Sequence, residues 1–216
     1  MAATGLPFVL FLDKRLPWSF PANVIVVPVL LADTWVYQTV SYTAALPPTR
    51  NPADTLEYML IQTTKTEWLA RASTFNPWNT SWFAWVDFGL VHVFKDPDTT
   101  LARMEHLRPP ARPGLRTAGI WHYRVADVWR AIVWRFAGGF LMGDGESLRT
   151  LDTRLRELVS RTPHRMAWEV NLWALLESEG FDMGWFVASH DDTIIPFGET
   201  NATTAVSETQ TEHSTL

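Results

Sequence analysis

Short apolar runs predict the strands of this chain. Residues 7–13 (PFVLFLD) and 23–31 (NVIVVPVLL) are rich in β-branched and aromatic residues and are bounded by prolines. This composition is typical of strands, and we expect both to lie in one sheet. Residues 82–86 (WFAWV) are apolar at every position, as expected for a central strand that is covered on both faces. Four further strands are predicted, at residues 90–94, 118–125, 131–143 and 184–192.

Apolar residues at helical spacing predict helices between these strands. Residues 53–72 carry one apolar face, and this helix is expected to begin near Asn51 or Asp54, because both are good capping residues. Residues 145–161 form an amphipathic helix, and residues 163–180 form another that ends at a glycine. The alternation of strands and helices predicts an α/β fold with a mixed, largely parallel central sheet and helices on both faces.

Composition and charge narrow the class of protein. The 216 residues suit one domain over residues 1–198, followed by a disordered tail over residues 199–216 that is rich in Ser, Thr and Glu. The formal net charge is -5 and the arginines are scattered, so a nucleic-acid surface is not expected. The absence of cysteine excludes disulfides and thiolate metal sites. The longest apolar run, residues 24–32, is too short to span a bilayer, and the opening residues lack a basic leader, so we expect a cytoplasmic protein.

Charged residues at strand ends are the first candidates for a functional site. Asp87 follows the apolar strand directly, so its carboxylate must be solvated, hydrogen-bonded or paired with a cation. It either binds a divalent cation or a sugar hydroxyl, with Gly89 letting the backbone approach the ligand, or it caps a turn. His190, Asp191 and Asp192 end the last predicted strand, where they either complete an oxygen and nitrogen shell around a metal or form a solvated loop.

Two further motifs lie beside buried segments. Glu169 and Asn171, in the sequence WEVN, stand in the first turns of a predicted helix. The helix dipole explains a carboxylate there, and a role in holding or deprotonating a hydroxyl is the functional alternative. Gly138 and Gly139 interrupt a predicted strand, which indicates that another backbone or a ligand approaches closely.

Five blocks between about residues 8 and 195 stand in a recognisable order. They read LPPTRNPADTLEYMLIQTTKTEWLARA, FNPWNTSWFAWVDFGLVHVF, FAGGFLMGDGESL, MAWEVNLWALLE and SHDDTII. In this order they resemble the HtrL/YibB-like proteins, a family that is similar to nucleotide-sugar-dependent glycosyltransferases of the GT-A fold. The resemblance implies a GT-A-like enzyme, similar to hexosyltransferases, that moves a sugar from a nucleotide-sugar, expected to be a UDP-sugar, to a glycan or other hydroxyl acceptor.

The resemblance also implies roles for individual residues. Asp87 matches the first aspartate of the DxD motif that binds Mn or Mg, and Gly89 replaces the second, so His190 is the first choice for a further ligand and Asp191 or Asp192 the second. Two glycines are placed beside the donor sugar, and two helix residues are placed on the sugar or acceptor side as catalytic groups: Gly138 and Gly139, and Glu169 and Asn171. Four residues are implied to contact the nucleotide: Arg50, Asn51, Asp54 and Lys65.

Other classes of protein stay open at this point. Members of the family have a strand and loop before the segment that corresponds to residues 7–13, and Gly89 departs from their metal motif. A non-catalytic carbohydrate- or protein-binding module with the same fold is therefore the main alternative. A metal-dependent phosphohydrolase is the third.

Overall fold

Two separate sheets form the β structure of this chain in a computed structural model that describes residues 6–14, 19–48, 51–122 and 125–196. The predicted tail at residues 199–216 lies outside the described residues. The first sheet consists of β1, Phe8–Asp13, and β2, Val24–Val29, which pair in parallel. The prediction that these two runs share a sheet is confirmed, although they do not join the other strands.

The larger sheet has four strands in the order β3-β5-β4-β6. Its strands are β3, Trp82–Val86; β4, Leu115–Gly119; β5, Phe136–Asp144; and β6, Trp185–Val187. β5 runs antiparallel to both of its neighbours, whereas β4 and β6 are parallel. The sheet is mixed as predicted, but the expectation of a largely parallel sheet is wrong. A parallel return from β4 to β5 needs a crossover, and the described part of that connection holds only a 3-10 turn at Val125–Asp127.

Five α-helices lie in the described residues: α1, Trp35–Thr39; α2, Leu56–Phe75; α3, Pro97–Met104; α4, Gly145–Arg161; and α5, Glu169–Ser178. α4 has the predicted bounds, and the Asp144 carboxylate caps it by accepting hydrogen bonds from two backbone N–H groups. α2 begins after Thr55, whose hydroxyl accepts the Tyr58 N–H at 3.1 Å, and not at Asn51 or Asp54. α5 is shorter than predicted because the preceding residues pair with another segment, with the Met166 N–H donating to the Ala45 carbonyl at 3.0 Å.

The strand predicted at residues 90–94 is wrong, because this segment forms a 3-10 helix at Leu90–Val93. The chain turns immediately after β3, and the Leu90 N–H donates to the Asp87 carbonyl at 3.0 Å. Leu90 then packs against the backbone at Gly139, where an added Cβ would overlap its side chain. The apolar character of this segment therefore serves burial in a turn and not strand pairing.

Strand β3 lies at an edge of the larger sheet, so its predicted central position is wrong. The N–H of Asp87, just beyond the strand, donates to the Gly139 carbonyl of β5 at 2.9 Å. Because backbone groups alternate in direction along an antiparallel strand, the N–H and C=O groups of Trp82, Ala84 and Val86 point away from β5. An apolar strand thus has one backbone edge that no other described strand pairs with.

The core lies on both faces of the larger sheet. Adjacent strand residues point to opposite faces, and on β5 Leu141 belongs to one buried cluster whereas Met142 belongs to the other. The first cluster includes residues of α1, α2, α4 and α5, and the second includes residues of α3 and of the 3-10 helix after β3. No helix in the described parts of the chain has both the length and the apolar character needed to cross a bilayer.

Candidate functional site

A buried lysine connects three elements of the fold. Lys65, in the middle of α2, is only 2% exposed. Its Nζ donates to Asp87 Oδ2 at 3.0 Å, to Glu169 Oε1 at 2.8 Å and to the Gly138 carbonyl at 3.1 Å. An ammonium has three donors, so all of them are used. We call Lys65, Asp87 and Glu169 the ion cluster.

Local structure explains why these groups meet. Asp87 stands at the carboxyl end of β3, and Glu169 is the first residue of α5, where the positive end of the helix dipole favours a carboxylate. β5 is irregular opposite this point, since its register with β4 shifts between the pairs that involve Thr117 and Gly119. The Gly138 carbonyl lies in this irregular stretch and accepts a hydrogen bond from Lys65.

The glycines of β5 make room for the ion cluster. A Cβ at Gly138 would overlap Glu169 Oε1 and crowd Val170, and a Cβ at Gly139 would overlap Leu90. The predicted close approach is therefore real, but the groups that approach are side chains of this chain. Neither glycine is free to take a larger residue without displacing them.

The charged groups of the ion cluster shift the pKa values of Lys65 and Tyr58. Burial alone lowers the pKa of the Lys65 ammonium, but the charges of Glu169 and Asp87 and their hydrogen bonds outweigh burial and raise that pKa above its usual value. Burial, together with the charge of Glu169, raises the pKa of the Tyr58 hydroxyl, and Asp54 and Asp87 act in the same direction. Tyr58 therefore lies close enough to the ion cluster to be affected by its charges.

Asp87 is both paired with a cation and hydrogen-bonded, which answers how its carboxylate is tolerated beside an apolar strand. Its Oδ1 accepts the indole N–H of Trp85 at 2.6 Å, and its Oδ2 accepts Lys65 Nζ. The Asp87 side chain is still 31% exposed, compared with 8% for Glu169. A carboxylate offers about four acceptor positions, so Asp87 is the member of the cluster that can also accept from a bound molecule.

An aromatic cavity of about 560 Å³ lies between β1, β3 and α2. Phe11 stacks on Trp68 with ring centroids 5.6 Å apart, and Trp68 stacks on Trp85 at 5.9 Å. All three rings line the cavity. Since Trp85 also donates to Asp87, this row of rings ends at the carboxylate.

Asn171 has a structural role in this geometry. It is fully buried, its amide donates to the Val128 and Ala131 carbonyls at 2.7 Å each, and its Oδ1 accepts the Val133 N–H at 3.0 Å. These bonds fix the segment that leads into β5. They use its amide hydrogens and leave it no exposed surface toward an acceptor, which corrects the catalytic role predicted for it.

The predicted metal ligands at the end of β6 are engaged elsewhere. His190 is exposed and its ring lies 5.5 Å from the ring of Trp134. Asp191 Oδ2 pairs with Lys95 at 2.7 Å, and Asp192 accepts from two backbone N–H groups and from Thr100. Hydrogen bonds from Lys95 lower the pKa of Asp191 to about 2, and that from Thr100 does the same for Asp192. Both carboxylates thus anchor the last segment to the start of α3.

These residues do not fit a metal centre shared with Asp87. β3 and β6 are opposite edges of the sheet with two strands between them, so their axes lie about 14 Å apart at a strand spacing of about 4.8 Å. Ligands of one divalent ion lie about 2.0–2.6 Å from it. Among the residues that the structure describes, no three His, Asp or Glu side chains are grouped closely enough to hold a metal ion.

The other predicted nucleotide contacts divide into three cases. Lys65 belongs to the ion cluster, and Asp54 lies near Tyr58. Asn51 is exposed and accepts the Ala53 N–H at 3.1 Å in the turn before α2. Arg50 lies outside the described residues.

Sequence reasoning missed two residues of this site, and both follow a simple spacing. Trp85 is two residues before Asp87, which puts both side chains on one face of a strand. Tyr58 is seven residues before Lys65, which is two helical turns on one face of α2. Searching each periodic face for polar groups next to the candidate carboxylate would have found them.

Comparison with protein-family models, with curated protein sequences and with solved structures gave no match. The likeness to HtrL/YibB-like proteins therefore rests on the sequence blocks alone.

Proposed function

We propose that this chain is a carbohydrate-active protein that transfers a sugar from a nucleotide-sugar to a hydroxyl acceptor, with the aromatic cavity as the binding site and Asp87 as the group that contacts the reacting hydroxyl. The observation that carries the proposal is the 2.6 Å hydrogen bond between Trp85, in the cavity wall, and Asp87, in the ion cluster. A flat ligand held against the rings would have a carboxylate at its end.

The cavity has the size and chemistry of a ligand site. Its volume of about 560 Å³ is within the range of about 300–1,000 Å³ common for small-molecule sites. Aromatic walls suit the flat faces of sugars and nucleobases, and a few polar groups at one end fix orientation. Trp85, in the cavity wall, donates its indole N–H to the Asp87 carboxylate and so links the wall to the ion cluster.

The roles of the carboxylates follow from their exposure. Asp87 is the accessible one, so it would accept the proton of the attacking hydroxyl while that oxygen bonds to the sugar carbon and the bond to the diphosphate breaks. Glu169, which is buried, would act through Lys65 by fixing its position, and this differs from the direct role first expected for it. The scheme needs no metal beside Asp87, because its carboxylate is already paired with the Lys65 ammonium.

Binding and turnover test the proposal. The wild type would be titrated with UDP, GDP and their hexose conjugates by calorimetry, and release of nucleoside diphosphate would be measured with hydroxyl acceptors present. We expect saturable binding that Trp85→Phe weakens, because the smaller ring shortens the cavity wall and no longer holds the Asp87 carboxylate in place. Trp185→Phe is the matched control, because Trp185 lies on β6 at the opposite edge.

A non-catalytic carbohydrate-binding module is the second candidate. It is favoured by the saturation of Lys65, whose donors all bond within the ion cluster and its backbone partner. Binding with nucleoside diphosphate release that Asp87→Asn abolishes supports the transferase. Binding without release supports the module, and failure of every nucleotide and sugar to bind rejects both.

A further inference from the structure

Three oxygen atoms surround the ammonium of Lys65 as ligands surround a metal ion. They are Asp87 Oδ2 at 3.0 Å, Glu169 Oε1 at 2.8 Å and the Gly138 carbonyl at 3.1 Å. We propose that Lys65 is a resident cation, held where a divalent metal would otherwise bridge Asp87 and Glu169, so that this site binds its ligand without a metal.

Charge and burial support this assignment. Two carboxylates and one ammonium leave a net charge of one negative unit, and burying the carboxylates without a cation would be very costly. The ammonium supplies that cation from within the fold, since Lys65 is 2% exposed and its backbone is fixed in the middle of α2. A metal ion at the same point would have to displace the ammonium into the surrounding core.

The distances from Lys65 Nζ to the three oxygen atoms also favour an ammonium over a metal ion at this position. The nitrogen to oxygen distances of 2.8–3.1 Å are normal for a charged hydrogen bond, whereas Ca²⁺ and Mn²⁺ bind oxygen at about 2.0–2.6 Å. Removing the ammonium leaves an oxygen cage that needs to contract by only about 0.5 Å to hold Ca²⁺. Lys65→Ala should therefore create a metal site that the wild type lacks.

Calorimetric titration with MnCl₂ and CaCl₂ tests this in the full chain. For the wild type we expect no saturable binding tighter than about 1 mM, and for Lys65→Ala an affinity at least about tenfold higher with an increase in Tm on metal addition. The double variant Lys65→Ala/Asp87→Asn is the matched control, because it opens the same space but removes one cage ligand. This double variant should not show the increase in metal affinity expected for Lys65→Ala.

Two results would overturn the assignment of Lys65 as a resident cation. One is micromolar Mn²⁺ binding by the wild type that Asp87→Asn abolishes, and this titration decides the question even if Lys65→Ala does not fold. The other is a folded Lys65→Ala that gains no affinity for either ion. The inference that ligand binding is metal-free rests on the proposed function. If EDTA abolishes nucleotide-sugar binding, ligand binding is not metal-free, but the proposed function still holds. If no nucleotide-sugar binds at all, the proposed function fails. The metal titrations still test whether Lys65 occupies a position that a metal ion could take.

Discussion

Replacing Lys65 with Met should be the most damaging single change in the ion cluster. Methionine keeps the aliphatic stem, so the loss is mainly that of the cation. Removing one partner of a buried ion pair costs about 3–5 kcal/mol, because the other charge stays buried and unpaired. Glu169 meets that description with a side chain 8% exposed, whereas Asp87, at 31%, can be solvated. We expect Lys65→Met to lose about 3–5 kcal/mol of unfolding free energy at pH 7.

A second substitution in Lys65→Met shows which unpaired carboxylate causes the loss of unfolding free energy. Adding Glu169→Gln to Lys65→Met removes the stranded buried charge and should recover about 1–3 kcal/mol. Adding Asp87→Asn instead should recover less than about 1 kcal/mol, since water already screens that carboxylate. Urea denaturation followed by circular dichroism measures each difference from the shift of the midpoint.

The pH dependence of this cluster has a definite sign. The folded-state pKa of Lys65 is raised above the usual 10.5, so its stabilisation is fully present below that value and is lost as pH rises through the folded pKa. The difference in unfolding free energy between wild type and Lys65→Met that is due to the Lys65 charge should be constant around neutral pH and should decrease only in strong alkali. A Lys65→Met variant within about 1 kcal/mol of wild type, or recovery by Asp87→Asn but not by Glu169→Gln, would refute the reasoning.

Three other substitutions and one control test separate parts of the fold. Gly138→Ala drives a Cβ into Glu169 Oε1 and should cost about 1–3 kcal/mol in urea denaturation, whereas Gly89→Ala, whose Cβ would meet only an ordinary contact at 3.8 Å, should stay within about 0.5 kcal/mol. Asn171→Ala removes one buried and two half-buried hydrogen bonds and should cost about 2–4 kcal/mol in the same assay, so an unchanged midpoint would contradict its structural role. Asp192→Asn should lower Tm at pH 7. Because the folded pKa of Asp192 is depressed to about 2, the difference in Tm should fade as pH drops from about 4 toward 2, and a difference that does not depend on pH would point to another cause.

The sequence predicted local elements better than their arrangement. α4 has its predicted bounds because leucines at helical spacing and the Asp144 cap act within one segment. The edge position of β3 could not be read from WFAWV, since apolarity on both faces predicts burial but not which strands supply it. The direction of β5 depends on a connection whose described residues hold no crossover helix, and local pattern does not encode that.

The candidate site was predicted in its members but not in its chemistry. Asp87, Glu169, Gly138 and Lys65 were each selected for separate reasons, and the structure brings all four together. Their contacts with one another could not be predicted, because Lys65 lies 22 positions from Asp87 and 104 from Glu169 along the chain. Pairing at such separations follows from tertiary packing and not from local sequence pattern.

The unpaired side of strand β3 bears on how this protein behaves in concentrated solution. Its outward N–H and C=O groups form a template for another strand, and from Ser81 to Val86 no charged side chain guards it. Natural sheets blunt such borders with lysine, proline or a bulge. Ala84 is solvent-exposed here, and among the described strands none covers this border, so we expect high concentration to favour self-association through added strands.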